Sequence, residues 1–179
     1  MTSATTEPAI DPSLFRRTCG RFGTGVTIVT TRLGERVHGM TANAFMSVSL
    51  EPPLVLVSVA RDARMCGLLD AAGRYAVSIL REDQRELALH FAGRPREGMT
   101  IPFGERAGMP VIEGALGQLV TRVVQRVEAG DHVLYIGRVE HMECREGPPL
   151  LFYGGRFETL AEAARDARSA VRDGGGGGR

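Results

Sequence analysis

The sequence predicts a mainly β domain in which short helices separate only some of the strands. Short apolar or alternating segments recur along the chain, and turn residues such as Gly34, Gly130 and Gly147 join most of them. The regular alternation of strands and helices that characterises doubly wound folds is absent. Because strands joined by turns pair antiparallel, we expect a largely antiparallel sheet that is closed or sandwiched. The length of 179 residues suits one domain with a sizeable core.

The most informative stretch, residues 39–59, has two unlike halves. Residues 41–49 are mostly small and polar, so their backbone N–H groups stay approachable. Residues 54–59 form a short apolar run after Pro52 and Pro53, which is typical of a strand buried on both faces. A small polar segment beside a rigid strand suits a flat aromatic ligand. Taken alone, the stretch is better explained as an ordinary strand, turn and strand.

The helices are predicted from caps and periodicity. Residues 11–12 indicate a helix start, and Leu14, Thr18 and Phe22 form an apolar stripe on the helix that follows. A second short helix is predicted after Asp62, and a third after a capping box at residues 83–86.

The strands alternate with turns and one long loop. Residues 93–108 are rich in Gly, Pro and charge, which predicts a loop that is mobile or closes over a site. The predicted strands span residues 26–31, 37–43, 54–59, 75–80, 119–127, 132–143 and 150–153.

Composition divides the chain into three segments. We expect a flexible N-terminal arm over residues 1–12 and one folded domain over residues 13–160. The Ala/Arg- and Gly-rich tail over residues 161–179 is expected to be disordered, because it cannot bury enough surface to order itself.

Charge and cysteine content exclude several classes of partner. The formal net charge is +1, so neither nucleic acid nor an anionic membrane is expected as a partner. The chain contains Arg but no Lys, which excludes Schiff-base chemistry and leaves phosphate contacts to Arg, hydroxyl groups or the backbone. Cys19, Cys66 and Cys144 form no metal motif, so reduced thiols in a cytoplasmic protein are expected. We recognise neither a signal peptide nor a membrane-spanning stretch.

The signatures of several enzyme classes are missing from the sequence. No G-x-G-x-x-G follows a predicted strand, and there is no P-loop, G-x-S-x-G elbow or H-E-x-x-H. His38, His90, His132 and His141 do not share a ligand-like spacing on one helix, so no metal site is expected. No Ser or Cys in the sequence is accompanied by an identifiable base, so nucleophilic catalysis is not predicted. The residues therefore favour a small β-barrel with a cofactor that does its own chemistry.

Arg61 and Arg64 lie at the predicted N-terminal end of a short helix. A cation is unfavourable there and an anion is favourable. A bound phosphate would reconcile the two arginines with the helix terminus, and two solvated arginines explain the pattern about equally well.

Several weakly specific segments together form an ordered pattern. They are residues 25–31, 39–59, 75–80, 84–92, 114–116, 130–132 and 149–157. With these segments, residues 15 to 160 resemble the flavin reductase-like domain family. These are NAD(P)H-dependent reductases that supply reduced flavin to two-component monooxygenases. The resemblance implies a split β-barrel with an FMN-binding, Greek-key core, working as a homodimer.

The resemblance also implies a set of flavin contacts and a nicotinamide contact. The flavin contacts are Thr41, Ala42, Asn43 and Ala44, then Ser47, Val48 and Ser49 at the isoalloxazine edge, and Ser58, Val59, Arg61 and Arg64 at the ribityl phosphate. Phe91 would help to close the pocket, although an apolar helix position is also typical of a core residue. His132 would orient the nicotinamide, the alternative being a strand-start histidine that bonds to the backbone. Tyr153 and Arg156 would lie near the nicotinamide.

The implied reaction is hydride transfer from nicotinamide C4 to flavin N5. It needs no side-chain nucleophile, because the protein supplies orientation and dipoles. FMN is favoured with FAD as the alternative, and NADH or NADPH is the hydride donor. Reduced flavin would reach a partner monooxygenase directly or by diffusion. Two other functions stay open: a non-enzymatic flavin carrier or sensor, and a flavoenzyme of the same barrel acting on an organic substrate.

Overall fold

A computed structural model describes residues 10–161, where three short α-helices and a short 3-10 helix accompany twelve strands. The α-helices are α1 (Pro12–Cys19), α2 (Arg64–Ala72) and α3 (Arg85–Phe91). The strands are β1 (Thr24–Gly25), β2 (Thr27–Leu33), β3 (Arg36–Ala42), β4 (Phe45–Ser49), β5 (Leu54–Ala60), β6 (Arg74–Ile79), β7 (Phe103–Arg106), β8 (Met109–Ile112), β9 (Gly117–Ala129), β10 (His132–Cys144), β11 (Leu151–Tyr153) and β12 (Arg156–Glu158). The mainly β prediction is confirmed. Residues 1–9 of the predicted arm and residues 162–179 of the predicted tail lie outside the described residues.

A seven-stranded sheet carries the fold. Its strand order is β3-β2-β6-β9-β10-β5-β4, and every neighbouring pair is antiparallel. A three-stranded sheet, β1-β11-β12, and the hairpin β7-β8 complete the described strands. The main sheet ends at β3 on one side and β4 on the other, so it is an open sheet and not a closed barrel. None of the helices within residues 10–161 has the length and apolar content to cross a membrane.

The long hairpin of β9 and β10 is the centre of the main sheet. Buried Val133 and Tyr135 of β10 belong to the larger core cluster, which also contains Met65 and Leu69 of α2. A second cluster lies under α3, where Leu87 is buried. α2 and α3 therefore cover apolar side chains of the sheet, as layered domains require, whereas α1 has no buried residue.

The core beside β10 is tightly packed around one glycine. The Tyr75 hydroxyl donates to the carbonyl of Tyr135 at 3.2 Å, and Thr121 Oγ1 donates to the carbonyl of Tyr75 at 3.0 Å. Burial raises the pKa of Tyr75 to about 12. A Cβ at Gly137 would lie 2.5 Å from the Tyr75 hydroxyl oxygen and 2.8 Å from the Thr121 side chain. Only glycine fits this position without movement of its neighbours.

The structure differs from the sequence prediction in stretches whose residues fit more than one kind of secondary structure or burial. β4 was not predicted, because the small polar residues 41–44 precede it and two of its five residues are serines, a composition that resembles a turn. The prediction that residues 54–59 are buried on both faces is wrong: Val55, Val57 and Val59 are buried, while the alternate residues of β5 are only half-buried. Part of the predicted loop over residues 93–108 forms β7.

The predicted helix caps are correct for α1 and wrong for the other two helices. Asp11 caps α1 by accepting from the backbone N–H of Ser13 at 2.9 Å. The N-cap of α2 is Ala63 rather than Asp62, and it makes no side-chain cap bond. The turn before α3 is closed by Gln84 Oε1, which accepts from the backbone N–H of Arg81 at 3.1 Å.

Two glycine substitutions, one in the core and one on α2, test this description of the core. Gly137→Ala is expected to lower the free energy of unfolding by about 1–3 kcal/mol, because the new methyl overpacks the contact with Tyr75 and Thr121. Gly67 lies inside α2 with open space around its Cβ position. Gly67→Ala is therefore expected to raise stability by about 0.5–1 kcal/mol. Urea denaturation measures both, and equal stability of the two variants would contradict the packing at Gly137.

Candidate functional site

The polar segment predicted from the sequence lies beside the end of β5. Asn43 and Ala44 connect β3 to β4 and are exposed. The carbonyl of Ala44 accepts from the backbone N–H of Ser58 at 3.0 Å, which joins the segment to the apolar strand. Within residues 10–161, the Asn43 side chain makes no hydrogen bond. This segment therefore presents polar groups that a ligand can use.

An open cavity of about 300 Å³ lies against this segment. Asn43, Ala44 and Leu56 form part of its wall, and Cys19 and Phe22 from the end of α1 and the following loop form another part. We call it the lip cavity. It combines an apolar wall with the polar Asn43–Ala44 edge, the character expected of a small-molecule site. Cys19 and Phe22 were not predicted as site residues, because only the tertiary fold brings α1 to β4.

Strand pairing places His132 on the same face of the sheet as Ser58. Ser58 pairs with Leu134, and Ala60 pairs with His132. Paired residues point to the same side of a sheet, and so do residues two apart on one strand. Ser58 and His132 therefore share the half-buried face. Val59 has 0% exposure, so neither the side chain nor the backbone of this predicted flavin contact is accessible to a ligand in the structure of this chain.

Asp131 holds the ring of His132. His132 Nδ1 lies 2.8 Å from Asp131 Oδ1. This hydrogen bond, followed by the charge of the imidazole, lowers the pKa of Asp131, whose carboxylate accepts. Nδ1 therefore carries the donated hydrogen, and Nε2 is the nitrogen left for a ligand. The alternative reading of a histidine bonded to the backbone does not describe this ring.

Arg61 and Arg64 have different neighbours in the structure. Arg61 donates to the carbonyl of Gly130 at 2.8 Å and pairs with Glu128 at 3.4 Å, so it braces the β9–β10 turn beside His132. Arg64 instead borders a small cavity of about 90 Å³ that also includes His38. Burial, and then the charge of Arg64, lowers the pKa of His38. The two arginines therefore do not form one cluster.

Thr41, Ala42 and Phe91 are engaged in packing. Thr41 Oγ1 donates to the carbonyl of Ala88 in α3 at 2.7 Å, and Ala42 is buried. The ring of Phe91 lies over Gly39, where a Cβ would come within 2.5 Å of it. Phe91 also packs against the core cluster under α3, which is the core role that its sequence position allowed.

Ser47, Val48 and Ser49 lie at the other end of β5 from Ser58. Ser47 pairs with Val55 and Ser49 with Leu54, with a bulge between them. At about 3.3 Å per residue, Ser49 lies roughly 13 Å along the sheet from the level of Ser58. Within one chain, these residues are not brought to the lip cavity or to His132.

Tyr153 and Arg156 flank the tight turn between β11 and β12. Gly154 and Gly155 have φ values of 58° and 84°, the left-handed conformation that favours glycine in a two-residue hairpin turn. Tyr153 Oη lies 3.5 Å from Arg21 Nη1, and Arg156 pairs with Glu158 at 3.1 Å. Both side chains border a second cavity, of about 420 Å³, against the end of α1. Within residues 10–161, no group of three or more His, Cys, Asp or Glu residues could hold a metal ion.

The chain is similar to known proteins over most of its length. The family model described as flavin reductase like domain matches residues 19–161. An NADH-dependent flavin reductase from a Rhodococcus species is 48% identical over 168 residues, covering 92% of this chain and 96% of the relative. The reductase component of 4-hydroxyphenylacetate 3-monooxygenase from Thermus thermophilus is 45% identical over 147 residues, covering 82% and 95%.

A solved structure shows the same architecture. The flavin reductase PheA2 in its native state superposes with a TM-score of 0.82 at 48% identity, covering 84% of this chain and 99% of that one. The match to the family model includes Asn43, Ser58 and His132. The chain belongs to the flavin reductase-like domain family.

Proposed function

We propose that this protein is an NAD(P)H:flavin oxidoreductase that supplies reduced flavin to a partner monooxygenase. The observation that carries the proposal is the alignment of Ala44, Ser58 and His132 along one open face of the sheet. The related Rhodococcus and Thermus proteins, named as a flavin reductase and a monooxygenase reductase component, support it. FMN or FAD is the flavin and NADH, as in the Rhodococcus relative, is the preferred donor over NADPH.

The residues that line the lip cavity, together with Ser58 two residues beyond Leu56 on β5, fit a flavin. The Asn43 side chain and the Ser58 hydroxyl make no hydrogen bond within residues 10–161, so both can bond to the polar edge of a ring. Leu56 and Phe22 supply apolar contact, and no charged side chain borders this cavity. When bound, the flavin accepts a hydride at N5 from nicotinamide C4. The protein contributes orientation and exclusion of water rather than a nucleophile.

His132 is the residue that we assign to the nicotinamide. Its ring is held by Asp131, and Nε2 is free to accept from or donate to an amide group. Its side chain is 44% exposed, so a ligand can reach it. Arg61 fixes the turn below it through Gly130. When the flavin is FMN, Arg61 and the first turn of α2 beside Arg64 are proposed to face its phosphate, because that turn has no side-chain cap.

We also propose a homodimer with a split β-barrel and Greek-key core. Large apolar side chains are exposed on α1 and along β4: Leu14, Phe15, Phe22, Met46, Val48 and Leu50. Phe22 and Met46 border the same cavity, and exposed apolar side chains that lie together in this way are typical of an interface. A second copy would also bring its own Ser47 and Ser49 toward a shared site. We place the protein in the cytoplasm, which the free thiols of Cys19, Cys66 and Cys144 support. Residues 13–160 are the proposed reductase domain.

Turnover with added flavin tests the function. The purified protein is expected to oxidise NADH rapidly when FMN or FAD is added, and to form free reduced flavin under anaerobic conditions. Loss of NADH absorbance and bleaching of the flavin spectrum measure this. A protein that binds flavin tightly without consuming NADH is a carrier or sensor. NADH consumption that depends on an added organic substrate indicates the other flavoenzyme.

Replacement of His132 tests its role. His132→Ala is expected to raise the KM for NADH about tenfold, the loss of roughly one hydrogen bond, while the Kd for flavin stays unchanged. His141→Ala is the matched control, because His141 lies on the same strand near its other end and pairs with Glu143 at 3.4 Å. Steady-state kinetics and a flavin titration separate the two parameters. NADH kinetics equal to wild type would refute the assignment.

The dimer has its own test. Sedimentation equilibrium is expected to give twice the chain mass of 19.3 kDa. Val48→Glu on β4 is expected to shift the protein to monomer, because a buried unpaired charge is costly. Val37→Glu on β3, the opposite edge of the sheet and similarly exposed, serves as the control and is expected to remain dimeric. A monomeric wild type would contradict the proposal.

A further inference from the structure

Four arginines converge on one cavity that the proposed reaction does not explain. Arg16 and Arg17 come from the last turn of α1, Arg21 from the loop after it, and Arg156 from β12. Together with Tyr153 they border the cavity of about 420 Å³ described above. We call it the arginine cleft. Its residues come from opposite ends of the chain, so the cluster is a product of the fold.

The positive charge of the arginine cleft is largely uncompensated within the described part of the chain. Across residues 10–161, no carboxylate lies within 4 Å of the guanidinium groups of Arg16, Arg17 or Arg21. Only Arg156 has an acidic neighbour, Glu158 at 3.1 Å. Like charges gathered around one concavity repel each other, and an anion placed between them removes that repulsion.

The helix dipole accounts for only part of this arrangement. Basic residues in the last turn of a helix are stabilised by its negative end, which explains Arg16 and Arg17. Arg21 and Arg156 lie outside the helix and gain nothing from that effect. Arg156 already pairs with Glu158, so Arg21 is the arginine whose place at this cavity indicates a ligand. Guanidinium groups form bidentate bonds with phosphate oxygens, and in a chain without Lys they are the only permanently charged phosphate ligands.

The arginine cleft adjoins the lip cavity. Cys19 and Phe22 border the lip cavity, while the intervening Gly20 and Arg21 border the arginine cleft. A ligand with a ring at one cavity can thus extend into the other across this short segment. A volume of about 420 Å³ exceeds what a single phosphate needs and accommodates a diphosphate with part of a sugar.

We propose that the arginine cleft binds the diphosphate of a dinucleotide substrate, either NADH or FAD. The inference rests on the proposed function and deepens it, because it assigns Tyr153 and Arg156 to the diphosphate end of the ligand rather than to the nicotinamide. Arg17 and Arg21 carry the charge, and they act on binding rather than on the hydride step.

Charge removal tests this site. The double variant Arg17→Gln/Arg21→Gln is compared with Arg145→Gln, which removes an exposed charge just after β10. FMN is used as the acceptor. If the cleft binds NADH, loss of the two arginines is expected to raise the KM for NADH about tenfold and to leave kcat within about twofold of wild type. Added salt is expected to raise the KM for NADH of wild type, because it screens the arginines. The same addition of salt is expected to raise the KM of the double variant less. Arg145→Gln is expected to match wild type.

Comparing FMN with FAD as the acceptor shows whether the cleft binds NADH or FAD. If the KM for FAD rises while the kinetics with FMN stay unchanged, the cleft binds FAD. If neither KM changes in the double variant, the proposal is overturned.

Inorganic pyrophosphate separates this proposal from the proposed function. In calorimetry it is expected to bind wild type and to bind the double variant at least about fivefold more weakly. Equal binding to both proteins overturns the cleft assignment whether or not the enzyme turns over. Absence of NADH oxidation by wild type, with pyrophosphate binding that depends on the two arginines, refutes the reductase function and leaves the anion site standing.

Discussion

The pairing of β5 with β10 is the constraint on which the rest of the molecule depends. Val55, Val57 and Val59 face the core together with Val133 and Tyr135 of the partner strand. Because side chains alternate across a strand, this burial commits Ser58 and His132 to the opposite face. A register shift of one residue would bury these polar groups and expose the valines. The same interaction that stabilises the core therefore creates the open face of the site.

Backbone contacts at the end of β5 hold the site elements together. The N–H of Ser58 bonds to the carbonyl of Ala44, and the N–H of Arg61 bonds to the carbonyl of Asp131 at 2.9 Å. These bonds tie the β3–β4 connection and the β9–β10 turn to one strand. The ring of His132 then depends on Asp131, its neighbour in that turn. Side chains from distant parts of the sequence keep their relative positions because the strand between them is buried and rigid.

The predicted secondary structure was most accurate where one local signal dominated. The alternation in β9 and β10 and the Asp11 cap of α1 were read directly from residue types. β4 was missed, because the small polar residues before it, and Ser47 and Ser49 within it, are equally typical of a turn. The α2 cap was assigned to Asp62 on residue preference, although the N-cap is one residue later, at Ala63, and makes no side-chain cap bond. Propensity indicates that a helix is present better than it locates its first residue.

The sequence by itself determined that the domain is mainly β, that no Lys is available for a phosphate contact, and that small polar residues precede an apolar strand. These are properties of residue type and of spacing along the chain, so they need no knowledge of pairing. Only the tertiary structure decided which face of β5 is open, that Thr41 and Phe91 pack against their neighbours, and that Arg61 and Arg64 diverge. It also brought Arg156 to the arginines at the end of α1. The reason is that pleating is local, whereas the choice of partner strand and the approach of α1 depend on burial across the whole chain.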